Sequence, residues 1–236
     1  MPFPRIYRTA GNNIIQSFSF TDATTKTGYI AFYGGRGISG SAAIPTSYKL
    51  SPQTFYSDYP TTSVFTTSGT NSQLFSVNFD SQFKAPQIIR GDAVISVPVG
   101  VTMTAGSGTQ FTMKVFAELD KISDGAETYL ISGAFTPFQG YGLSPSLTDT
   151  TQYSQELTQI LTIPQTHFKI DDSLRLKITL QGYSNGAAEI RFGIAHDPAN
   201  RNDFSYHPNT HSATGQKIIA DTTNTDLQAL IPFRID

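Results

Sequence analysis

Cysteine and tryptophan are both absent from this chain of 236 residues. Without cysteine there is no disulfide, no thiolate metal site and no cysteine nucleophile, so stability has to come from burial or from assembly. Without tryptophan the chain lacks the widest aromatic face a protein can offer for stacking on a sugar ring. Charge is scarce as well. Only 14% of residues are charged and the net charge is -2, which leaves neither a nucleic-acid footprint nor a membrane-surface footprint. No apolar run approaches the about 20 residues of a spanning helix, and the first eight residues lack the apolar centre of a signal peptide. A Gly-Lys-Ser/Thr phosphate loop and a Gly-x-Ser-x-Gly nucleophile elbow are also missing. These absences lead to the expectation of a chain that is not an enzyme, has no cofactor and needs no membrane.

What is present is alternation. In Ser173-Leu174-Arg175-Leu176-Lys177-Ile178-Thr179-Leu180 every second side chain is aliphatic. That period of two describes a strand with one dry face. Eight segments of this kind span residues 74–80, 92–103, 109–119, 127–134, 156–163, 172–180, 188–195 and 226–235, each bounded by Gly, Pro, Asn or Ser. Helical periodicity is almost absent, so the expected fold class is all-β, an eight-stranded jelly-roll β-sandwich. Its core is read as Phe75, Val77, Phe79, Phe111, Met113, Val115, Ala117, Leu119, Ile190, Phe192, Ile194, Leu227, Ile231 and Phe233. Residues 71–236 form the sandwich domain in this reading. Residues 1–70, looser in pattern and rich in Thr, Ser, Tyr and Pro toward their end, form an N-terminal arm or extra strands.

Several short motifs invite a chemical reading. Gly35-Arg36-Gly37-Ile38-Ser39-Gly40 matches the dinucleotide fingerprint, but Pro45 stops any helix that would have to follow it. Arg90-Gly91-Asp92 spells an adhesion tripeptide and reads more simply as a turn entering a strand. Asp197, Asn200, Asn202 and Asp203 supply the oxygen ligands that calcium takes, with a self-bonded Asx turn as the plainer alternative. His196, His207 and His211 match no zinc spacing and are read as exposed or interface residues. The four glutamates, Glu118, Glu127, Glu156 and Glu189, fall in or at the ends of strands, which offers little to acid–base hydrolysis.

Two long connections, residues 136–153 and 197–221, carry aromatic residues where contacts usually sit. Phe138 and Tyr141 lie in the first, Phe204 and Tyr206 in the second, and Tyr48, Phe55, Tyr56 and Tyr59 cluster in the N-terminal region. They are candidate contact residues, for neighbouring subunits first and for a glycan or receptor second.

Eight strands at this spacing, with a segment such as Ile163-Pro164-Gln165-Thr166-His167-Phe168-Lys169-Ile170-Asp171-Asp172 entering a strand through a Lys/Asp turn, resemble the jelly rolls of virus structural proteins. The resemblance covers residues 74–236. It implies a capsid, minor capsid or decoration subunit of a virion, assembled in the host cytoplasm, whose partners are its own copies in a homotrimer and other virion proteins. Arg5 and Arg8 are the only cations near the start, so a basic genome-binding arm is not expected.

Overall fold

The computed structural model describes residues 15–17, 27–36, 48–55, 65–67, 73–103, 111–134, 136–137, 152–184, 190–196 and 226–234. Among them are thirteen strands and no helix. These are β1 (Ile15–Ser17), β2 (Thr27–Arg36), β3 (Tyr48–Ser51), β4 (Phe65–Thr67), β5 (Gln73–Gln82), β6 (Gln87–Met103) and β7 (Phe111–Ser123). They continue with β8 (Ala126–Ser132), β9 (Thr136–Pro137), β10 (Gln152–Phe168), β11 (Ser173–Ser184), β12 (Ile190–Ile194) and β13 (Gln228–Arg234).

The long strands pair in two runs. One is β10-β6-β13-β2 and the other β5-β11-β7-β8, joined through β3, which lies antiparallel to β2 and parallel to β5. The partners nest: β2 with β13, β5 with β11, β6 with β10 and β7 with β8 are all antiparallel. Alternation along each strand buries one face of each run. Leu174, Leu176, Ile178 and Leu180 of β11 share a single apolar cluster with Ile95, Val97 and Val99 of β6 and Leu157, Leu161 and Ile163 of β10. The fold is therefore an all-β sandwich. At about 1.5–3 kcal/mol per buried aliphatic side chain, this cluster is the main source of stability.

All eight expected segments contain a strand, several of them longer than the alternation indicates. Met113, Val115, Ala117, Leu119, Val77, Phe79, Ile194, Leu227, Ile231 and Phe233 are buried as expected, and Phe75 packs partly buried against them. The side chains of Phe111, Ile190 and Phe192 lie outside the described residues. β2, which falls within the stretch read as an arm or extra strands, sits inside a sheet between β13 and β3, with Ile30 and Phe32 in the core.

One irregularity decides a motif. Gly91 has φ +117°, a conformation that L side chains rarely adopt, where the β6–β10 register shifts between Ile163 and Thr166. Opposite it, the β6–β13 register shifts around Pro232, whose missing N–H spares a ladder bond. The glycine of Arg90-Gly91-Asp92 thus serves a bulge inside a long strand, and Asp92 accepts a hydrogen bond from Thr162 Oγ1 at 2.6 Å.

Candidate functional site

The outward face of β11 carries Arg175, Lys177 and Thr179, because their aliphatic neighbours point into the core. Register sets what flanks them. Arg175 lies across from Asp80 of β5 and Asp120 of β7, and Lys177 across from Asn78 and Glu118. A shift in the β7–β8 register between Leu119 and Asp120 then places Asp120 opposite Tyr129, two residues beyond Glu127. Four carboxylates and two cations meet on one patch of sheet.

The cations are already committed. Arg175 donates from Nε and Nη2 to the two oxygens of Asp80, at 2.7 and 2.8 Å, and from Nη1 to Glu127 at 3.0 Å. Lys177 donates to Glu118 Oε1 at 2.9 Å. The hydrogen bond to Asp80 holds the guanidinium more tightly protonated than usual, and the bond to Glu118 does the same for Lys177. Asp120 is left over. Its residue is 1% exposed and its Oδ2 is buried with no hydrogen-bond partner among the described residues. Burial first, then the charges of Glu118 and Glu127, push its carboxyl up to about 7.

A second buried aspartate has the opposite surroundings. Asp172, 4% exposed, closes the turn between β10 and β11, in which Asp171 takes φ 68°. Its carboxylate accepts from the backbone N–H of Lys169 at 2.7 Å and from Ser123 Oγ at 2.7 Å, and pairs with Lys121 at 2.9 Å. The Lys121 hydrogen bond leads the causes that bring this carboxyl down to about 2.

Gln159 of β10 reaches across the sandwich. Pairing of β7 with β9 ends at Val115 and pairing with β8 begins at Glu118, which leaves a gap at Ala117. The side-chain amide fills it: Oε1 accepts from Ala117 N–H at 2.8 Å, and Nε2 donates to the carbonyls of Val115 at 3.0 Å and Ala134 at 2.8 Å. Gly133 makes room, since a Cβ there would stand 2.6 Å from Oε1.

At one end of the sandwich, a cleft of about 360 Å³ is lined by Phe32, Phe83 and Phe233 with Ser81, Gln82 and Lys84. Lys84 pairs there with the exposed Asp171 at 3.4 Å.

Of the contact residues read from sequence, Tyr48 is half-buried, its ring 5.2 Å from those of Phe79 and His196, and Phe55 is half-buried. Tyr56, Tyr59, Phe138, Tyr141, Phe204 and Tyr206 lie outside the described residues, as do Asp197, Asn200, Asn202 and Asp203. His196 is not exposed as expected. It is fully buried against Tyr48 and Phe79, because the chain stays on β6 past the end of β12, with Ala195 N–H donating to the Pro98 carbonyl at 2.9 Å. Among the described residues no group of three or more His, Asp or Glu is placed to hold a metal. From sequence, Asp172 is named only as the end of a Lys/Asp turn, and Asp120 and Gln159 carry no role. One signal was available in Asp124-Gly125, whose positive φ values of 51° and 79° make the tight turn that registers β8 on β7.

No family model matches the chain, and no curated protein does. Solved structures do. A CocE/NonD family hydrolase from Staphylococcus aureus is 10% identical over 72% of this chain and 37% of its own, with a TM-score of 0.36. An α-amino acid ester hydrolase is 10% identical over 87% of this chain and 36% of its own, at 0.48. The infectious bursal disease virus VP2 subviral particle is 11% identical over 85% of this chain and 41% of its own, at 0.23. The chain thus spans about two fifths or less of each of these three. The expectation of a non-enzyme is corrected here. The first structures matched are hydrolases, and missing linear motifs do not exclude an enzyme, because a sheet brings side chains together from strands far apart in the chain, as it does with Asp80 and Arg175. At these identities and TM-scores the likenesses assign neither a reaction nor an assembly to this chain.

Proposed function

We propose that the chain is a structural subunit of a virion, a jelly roll that assembles with its own copies as a trimer and with other virion proteins. The observation that carries this reading is the nested order within the eight strands of the two runs, in which β2 pairs with β13, β5 with β11, β6 with β10 and β7 with β8. Two nested Greek keys of this kind build the jelly rolls of capsid and lectin domains. The outward faces suit subunit packing. β10 presents Thr158, Ile160 and Thr162 beside Ser96, Val94 and Asp92 of β6, a strip with one charged side chain and with Ile160 67% exposed.

The test is size-exclusion chromatography with light scattering on the full chain, followed by electron microscopy of the eluted species. A discrete oligomer or closed particle supports the reading. A chain that remains monomeric at the highest concentration reached overturns it.

A further inference from the structure

We propose that Asp120 and Glu127 form a proton-operated latch that holds the edge strand β8 against β7. The register places Asp120 and Glu127 at neighbouring positions across the β7–β8 pair, and the hairpin is the element they hold. Among the described residues β8 pairs only with β7, and its hairpin closes through the tight Asp124-Gly125 turn. Its grip near the latch is the Asp120–Tyr129 position, at the register shift.

The groups facing Asp120 are few and assigned. From β5 comes Asp80, from β11 Arg175 and Lys177, from β7 itself Glu118, and from β8 Glu127 and Tyr129. Arg175 serves Asp80 and Glu127, Lys177 serves Glu118, and the Tyr129 hydroxyl shares a hydrogen bond with Ser132. Nearby Lys121 is engaged with Asp172. Among the described residues no cation hydrogen-bonds the fourth carboxylate, and the charge of Lys177 offsets only part of the repulsion. A proton on Asp120 removes that surplus charge and gives the pair an O–H to direct at the Glu127 carboxylate. Its loss sets the buried Asp120 against the largely covered Glu118 and the more exposed Glu127, and the repulsion is strongest from the covered partner.

The direction of the pH effect follows. The folded carboxyl is pushed up to about 7, by burial first, against the ordinary 3.8 of an unfolded chain, and opening of β8 moves it back toward that value. Closure is therefore strongest below about 4 and weakens as pH rises through 7.

The experiment is amide hydrogen exchange on the full chain from pH 5 to 8.5, corrected for the intrinsic pH dependence of exchange and read at β8 amides around Tyr129. In the wild type, protection falls roughly tenfold or more between pH 5 and 7 and levels off above 8. In Asp120→Asn it stays level, and in Glu127→Gln the fall shrinks because one of the repelling charges is gone. Wild-type protection independent of pH, or an Asp120→Asn protein that loses protection in parallel with the wild type, overturns the latch. Should Asp120→Asn fail to fold, the wild-type and Glu127→Gln profiles decide: equal falls in the two reject the proposal.

Discussion

Asp120 and Asp172 are both almost completely buried, yet the fold treats their charges in opposite ways. Asp172 sits in a turn, where backbone N–H groups are free to point at it and Lys121 and Ser123 arrive from β7. Asp120 sits within a paired strand, whose own N–H groups belong to the ladder, and its neighbours' cations are taken by Asp80, Glu127 and Glu118. The lesson is that burial alone does not decide whether a carboxyl ionises. What decides is whether donors remain unclaimed at that point of the backbone.

Gln159 sharpens the comparison, because it solves the same problem with a neutral group. Gln159→Leu strands the Ala117 N–H and two carbonyls without partners, and a loss of about 3 kcal/mol is expected in urea unfolding. That loss should not change with pH, unlike those at either aspartate. Asp172→Asn comes next. Its carboxyl is held below its unfolded value of 3.8, so the stability it contributes is complete above about 4 and disappears as pH falls through about 2. The variant is expected to unfold at lower temperature than the wild type at pH 7 and to have lost most of that difference near pH 2.

Arg175→Lys replaces a two-pronged contact with Asp80 by a single ammonium. About 1 kcal/mol is expected to go, discounted for the partly exposed Asp80. At the small end, Lys84→Ala removes a pair whose side chains are 76% and 66% exposed, and its unfolding midpoint in urea should match the wild type within about 0.5 kcal/mol.

Much of the scaffold was readable from the residues. The alternation of Leu174, Leu176, Ile178 and Leu180 states a half-buried strand without help, and the structure buries all four. The polar sites were not readable, for a common reason. Asp120 follows Leu119 and looks like any outward residue until the register shift with β8 and the arrival of Arg175 cover it. Gln159 reads as an interruption in an apolar run, yet its partners are 42 and 44 residues away. His196 belongs by sequence to a loop and by packing to the core. In each case the deciding contact comes from a strand that local periodicity does not reveal.

The most direct measurement is a carboxyl-carbon NMR titration of the folded wild-type chain, following Asp120 and Asp172 in the same sample. The account predicts midpoints near 7 for Asp120 and near 2 for Asp172. Two midpoints that coincide near the ordinary 3.8 would contradict it.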